Sequence, residues 1–177
     1  MSGRAAHLVL VGLPGVGKTT VGRRLAGRLG RPFLDFDEEI ARREGASVAR
    51  IFAERGEAHF RALERALTAE LRGHPDPMVL APGGGWIEHP DVVGLLRPPA
   101  RLVYLRASSA EVLRRLGAGR ADRPLLAGDD PGAALGRLYA RRRAAYEGAD
   151  HVLDTEMLGV EKVMEAIVEL VTAPGAG

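Results

Sequence analysis

Strands alternating with helices along 177 residues predict an α/β protein: a parallel sheet with helices on both faces. Three observations carry this reading. Short apolar runs at 7–11, 78–81 and 101–105 are separated by stretches of helical periodicity. Those runs are too apolar to leave a wet face, as expected of buried parallel strands. Glycine clusters follow two of them directly, at the carboxyl ends where sheets of this class bind ligands.

The strand at 7–11 runs into Gly12-Leu13-Pro14-Gly15-Val16-Gly17-Lys18-Thr19, which fills every fixed position of G-x-x-x-x-G-K-[ST], the P-loop. A helix over 20–29 follows. Such a loop turns successive backbone N–H groups, and the positive end of the helix, toward a polyphosphate. Its glycines let the backbone approach closely. Lys18 can reach β- and γ-phosphates, and the Thr19 hydroxyl can ligate Mg²⁺. Only Lys18 and Lys162 are lysines among the 25 basic residues. A compact ammonium suits this place better than a planar guanidinium.

The next strand, at 32–35, ends in acids. Helices over 36–43 and 47–55 are split by Gly45, and a longer one over 57–72 places Ala58, Leu63, Leu67 and Leu71 on one face before Pro75 and Pro77. The strand at 78–81 leads into Pro82-Gly83-Gly84-Gly85. A helix over 90–96 stops at Pro98-Pro99. After the strand at 101–105, Ser108 and Ser109 offer a cap to a helix ending near Gly117. Residues 118–132 are glycine-, aspartate- and proline-rich and too long for an ordinary connection. With Arg120, Arg123 and Leu125-Leu126 they read as a mobile lid or a disordered insertion. A helix over 133–147, a strand at 151–154, a helix over 160–171 and a disordered tail at 174–177 complete the chain.

Composition narrows the function classes. The length suits one domain, 1–177, and is short for two. A net charge of +2 and 5% aromatics give no basic stripe with interleaved rings, so no nucleic-acid partner is expected. Arg4 and the apolar run behind it do not make a signal peptide, because Pro14, Gly15 and Lys18 break the run early. No apolar segment is long enough to span a bilayer, so a cytoplasmic protein without a membrane partner is expected. The absence of cysteine excludes disulfides, thiolate metal sites and thiol nucleophiles.

The P-loop, Asp35-Phe36-Asp37 and Gly83–Gly85 each follow a strand, so all three are expected to meet at one crevice. An aspartate pair alone reads as a helix cap with a solvated neighbour; beside a P-loop it reads as a site.

Joined with Phe60-Arg61-Ala62-Leu63-Glu64, Arg123-Pro124-Leu125-Leu126 and Arg142 four residues before Tyr146, these motifs make the chain resemble the shikimate kinases over essentially its whole length. The resemblance implies a P-loop NTPase fold of the nucleoside-monophosphate-kinase type, with a five-stranded parallel sheet in the order 2-3-1-4-5. It implies transfer of the ATP γ-phosphate to the 3-hydroxyl of shikimate, a step of aromatic amino-acid biosynthesis, with ATP and Mg²⁺. Residue by residue, it implies that Gly15, Val16, Gly17, Lys18, Thr19 and Thr20 hold the donor phosphates. Thr19 ligates the metal, with Asp35 acting through water. Asp37 binds the acceptor hydroxyls and orients or deprotonates the attacking oxygen. Arg61 and Arg142 grip the acceptor carboxylate, and Gly83, Gly84 and Gly85 bring backbone amides against it. Arg123 closes with the lid onto the transferring phosphate, and Arg115 lies against the adenine. Lys18, Asp37 and Arg123 form the catalytic set. Glu64, three residues after Arg61, is placed to orient it. Trp86 departs from the small or aliphatic residue expected there; covering the sheet end and touching the substrate are equally open to it. Shikimate is the expected partner and a monomer the expected state. Two other readings stay open: a related kinase of the gluconate type, differing at the acceptor positions, and a nucleotide-binding regulatory module, which leaves Asp37 and Arg61 without a role.

Overall fold

A computed structural model of the chain describes residues 6–117, 126 and 128–172. Its centre is β1 (Leu8–Val11), buried at every position. Successive strand residues point to opposite faces, so complete burial means that both faces of the sheet are covered. β3 (Val79–Ala81) pairs with one side of β1 and β4 (Arg101–Arg106) with the other; β2 (Phe33–Asp35) and β5 (His151–Asp154) form the edges. Every pair is parallel and the order is β2-β3-β1-β4-β5, as the resemblance implied. The doubly buried character predicted for the strands holds for the central three. β2 is only partly buried throughout, and Val152 on β5 is exposed, because each edge strand has one neighbour instead of two.

Capping residues set the helix boundaries. α1 (Lys18–Leu29) starts two residues before the periodicity does, because Gly17 caps it at φ 108° and puts Lys18 and Thr19 in the first turn. α2 (Phe36–Glu44) is capped by Asp35 and stopped by Gly45 at φ 63°. The two helices predicted at 47–55 and 57–72 run on as α3 (Val48–Arg72), broken only at Gly56, where φ 83° and ψ 167° interrupt the helix. A 3₁₀ turn (Trp86–Glu88) that periodicity cannot detect precedes α4 (Pro90–Leu96). α5 (Ser109–Leu116) takes Ser108 as its cap. α6 (Pro131–Glu147) begins at Pro131 because Asp130 accepts from the Ala133 amide. α7 (Val160–Thr172) closes the described chain. Of the predicted lid, 118–125 and 127 lie outside the described residues, and so does the tail at 174–177.

The amino ends of the strands are tied together by His7. Its Nδ1 accepts from the Met78 amide at 3.0 Å, so Nε2 carries the proton and donates to the Leu71 carbonyl at 3.1 Å. Burial lowers its pKa below 6.5, with nearby His74 and Arg31 adding to the effect and the Leu71 bond opposing it. A proton on Nδ1 would face the Met78 N–H. The unfolded chain therefore binds this proton more readily. The site's contribution to stability is present above the unfolded pKa and lost as pH falls through the lower folded one. Urea unfolding is expected to show a larger loss of stability from about pH 7.5 to about pH 5.5 in the wild type than in His7→Gln. Equal losses in the two proteins would remove His7 as the cause.

Candidate active site

Parallel pairing places the P-loop, the end of β2 and the glycine triplet at one edge of the sheet. Gly15 and Gly17 hold φ of 81° and 108°, a region L side chains rarely adopt. A Cβ on Gly15 would also stand 2.5 Å from Leu116. Lys18 Nζ donates to the Gly12 and Leu13 carbonyls at 2.7 and 3.0 Å, which folds the ammonium back across the loop. Thr19 Oγ1 donates to Asp35 Oδ2 at 2.6 Å, while Asp35 Oδ1 accepts from the Glu38 amide at 3.1 Å. Asp35 is thus both the cap of α2 and the partner of the P-loop threonine. A cleft of about 480 Å³ opens over Gly15, Gly17, Lys18, Thr19, Thr20 and Asp35. Val16 turns inward instead: its side chain is buried and its amide donates to the Leu13 carbonyl at 3.2 Å.

Asp37 sits in the first turn of α2, past the end of β2, and borders this cleft and a second chamber alike. That chamber brings together Asp37, Arg61, Gly83, Gly84, Gly85 and Arg142, the acceptor residues expected from sequence. Its apolar wall is Val48, Phe52, Phe60 and Leu126. The triple arginine resolves by burial. Arg142 is fully buried and lines the chamber, whereas Arg141 and Arg143 point outward to Glu88 and Glu147. Each glycine of the triplet makes room for a charged group. A Cβ at Gly83 would lie 2.7 Å from Glu64 Oε1 and 3.1 Å from Asp37 Oδ1; at Gly84, 2.8 Å from Arg142 Nη1; at Gly85 it would overlap the Arg61 guanidinium.

Glu64 holds Arg61 as expected, accepting from Nη1 at 2.5 Å, and Glu57 accepts from Nη2 at 3.1 Å. Burial pushes the Glu64 carboxyl up to about 7; Arg61 pulls it down, and the Asp37 charge pushes it up further. Arg115 ties the P-loop to the loop after β5, donating to the Val16 carbonyl at 3.1 Å and to the Thr155 hydroxyl and carbonyl at 2.9 and 3.0 Å. Arg123 falls outside the described residues. Trp86 covers the sheet end. It is buried edge-on to Phe36 and donates to the Thr68 hydroxyl at 3.0 Å. Sequence reading missed Glu88, which accepts from Arg142 Nε at 2.8 Å across 54 positions of chain. No local pattern signals such a contact.

The described residues hold no cluster of three or more His, Cys, Asp or Glu able to bind a metal ion. A cation here would draw its oxygens from Thr19, water and a ligand's phosphates, the manner in which Mg²⁺ usually binds.

The family model for shikimate kinase matches residues 14–172. A shikimate kinase of Caulobacter vibrioides is 42% identical over 168 residues, covering 93% of this chain and 83% of that one. A shikimate kinase from Acinetobacter baumannii, solved in complex with shikimate, superposes with a TM-score of 0.89 at 35% identity and covers 97% of this chain and 96% of its own. A gluconokinase from Sinorhizobium meliloti reaches a TM-score of 0.54 at 19% identity over 93% of this chain and 94% of its own, which is a likeness of fold alone.

The raised pKa of Glu64 gives a pH dependence opposite in sign to that of His7. Its folded value stands above the unfolded 4.5, so its contribution is full below about 4.5 and is lost as pH rises through about 7. Glu64→Gln is expected to remove this slope, a difference of about 2–3 kcal/mol between the ends of that window in urea unfolding. Identical pH profiles for the variant and the wild type would contradict it.

Proposed function

The chain belongs to the shikimate kinase family, and from that premise we propose how its residues carry out ATP-dependent phosphorylation of shikimate. One observation carries the assignment of parts. A chamber with two arginines and a glycine wall shares Asp37 with the P-loop cleft. Shikimate has a carboxylate on one side of its ring and hydroxyls on the other. Its carboxylate binds Arg61 and Arg142, and an arginine fork matches a carboxylate with two parallel hydrogen bonds. The 3-hydroxyl then meets Asp37 at the seam between acceptor and donor.

Lys18 and the loop amides hold the ATP phosphates, with Gly15, Gly17, Thr19 and Thr20 lining the cleft. Val16 contributes through position, bracing the loop from within. The Thr19 hydroxyl and, through water, Asp35 would hold Mg²⁺, which would neutralise charge on the phosphate oxygens. Asp37 accepts the hydrogen bond of the 3-hydroxyl and aims its oxygen at the γ-phosphorus. As that O–P bond forms, the bond from the γ-phosphorus to the β–γ bridging oxygen breaks; ADP leaves, and the hydroxyl proton passes to Asp37 or solvent. Transfer of this kind is mostly positioning and charge neutralisation, which supports giving Lys18, Asp37 and Arg123 the catalytic roles. The role given to Arg123, contact with the transferring phosphate, rests on the family resemblance alone, and Arg115 is assigned to the adenine on the same ground.

Gluconate-type chemistry is the weaker reading, since the acceptor motifs follow the shikimate kinases. A purely regulatory nucleotide switch leaves the arginine chamber without a purpose. We further propose a monomer working in the cytoplasm, formed by one domain, without nucleic-acid or membrane partners. Among the described residues no helix is long and apolar enough to cross a membrane.

Coupled ADP release, run with shikimate, quinate, gluconate and nucleoside monophosphates, is expected to respond to shikimate and to stop when Mg²⁺ is chelated. A rise with gluconate or a nucleoside monophosphate in place of shikimate would overturn the assignment. Asp37→Asn is expected to lower kcat about 10²–10⁴-fold with the fold intact; near-normal kcat would make Asp37 peripheral. In calorimetric titrations Arg61→Ala should weaken shikimate binding by roughly 2–5 kcal/mol and leave ATP binding nearly unchanged. Equal losses for both ligands would point to unfolding instead.

A further inference from the structure

Arg61 and Arg142 face the same chamber but are held in opposite ways. Both Nη atoms of Arg61 are already committed, one to Glu64 and one to Glu57. Arg142 is gripped at Nε by Glu88, and neither Nη1 nor Nη2 makes a well-formed hydrogen bond, although the Tyr146 hydroxyl lies against the guanidinium. Its polar neighbour Tyr146, one turn further along α6, donates its hydroxyl to the Gly84 carbonyl at 3.1 Å. A buried guanidinium whose Nη groups lack well-formed hydrogen bonds is unfavourable unless a counter-charge stands close and further acceptors meet its remaining N–H groups.

We propose that Glu88 is a positioning residue for the acceptor: by gripping Arg142 at Nε it turns both Nη groups toward the carboxylate of the substrate. The inference rests on the reading that Arg142 binds that carboxylate. Three features support it. Glu88 stands on the 3₁₀ turn that follows Gly83–Gly85 directly, so one segment sets both the glycine wall and the angle of the arginine. Its carboxylate is anchored from the outside by Arg141, whose Nε and Nη2 both donate to it. It stays ionised although burial works against this, because the two arginines hold its pKa below the usual glutamate value. Arg142 then supplies the end-on fork, while Arg61 must share its Nη atoms with carboxylates already present.

The test compares shikimate with its methyl ester, which cannot use the fork, each measured as substrate or as competing inhibitor. For Glu88→Ala, the KM for shikimate is expected to rise roughly 10–100-fold, the range set by a charge-assisted hydrogen bond. kcat and the KM for ATP should stay near wild type. The preference for the acid over the ester should shrink by the same factor. Glu88→Gln keeps an acceptor oxygen and the side-chain volume, so it should recover part of the KM and part of the preference. Should the alanine variant fail to fold, the glutamine variant still decides, because an unchanged acid-to-ester preference in it would refute the proposal. A loss falling equally on acid and ester would also refute it, since that is the mark of a structural role. Arg142→Lys separates the two levels. If it leaves the preference intact, the carboxylate site itself is misassigned and the Glu88 proposal falls with it. If it abolishes the preference while Glu88→Ala does not, only the Glu88 proposal fails.

Discussion

The parallel register of β1 with β3 and β4 is the constraint from which the site descends. Because all strands point the same way, each ends in a loop on the same edge of the sheet. Three loops close in space but far apart in sequence can then divide the work. The loop after β1 carries the P-loop motif, the end of β2 supplies two aspartates, and the loop after β3 is reduced to backbone. Asp35 shows how tightly these jobs are joined. One carboxylate oxygen starts α2 and the other holds Thr19, so the helix that carries Asp37 and the P-loop keep a common origin.

The second level is electrostatic. The site gathers positive charge at a buried edge, which is unfavourable in the absence of ligand. The protein meets this with a carboxylate beside each arginine: Glu64 and Glu57 take the two Nη atoms of Arg61, Glu88 holds Arg142 from behind at Nε, and Glu111 pairs with Arg115 at Nε. The glycines are the steric complement of this arrangement. Where Gly83, Gly84 and Gly85 lack side chains, a carboxylate pair and two guanidiniums come up against the main chain. The chamber is therefore shaped by what the glycines leave out as much as by what the arginines bring in.

Much of this was legible in the sequence wherever the physics is local. The P-loop spacing and the stop at Gly45 depend on a few neighbouring residues, and the structure places them as read; the aspartate pair was read as a site rather than as a helix cap, and Asp35 is in fact the cap of α2 as well. The pairing of Arg61 with Glu64 is one helical turn and was equally visible. Contacts across long separations were not. Glu88 meets Arg142 through the packing of the 3₁₀ turn on α6, and neither residue marks the other in sequence. The turn itself spans three residues, too short for any period. Trp86 could not be placed because an apolar ring serves a core or a ligand equally; the Thr68 hydroxyl beneath it decides for the core. The choice among three consecutive arginines rested on resemblance and has its physical reason in burial, since Arg142 alone of the three faces inward.

The break at Gly56 divides the chamber's walls between two inheritable units. Val48 and Phe52 lie before it, and Phe60, Arg61 and Glu64 after it. Since the backbone leaves helical φ/ψ at this one residue, a change in the first segment need not shift the second. The apolar contour of the chamber, at Val48 and Phe52, can thus change while the ion pair of Arg61 with Glu64 keeps its place. Successive adaptations of shape and of charge in this chain are separable at a single glycine.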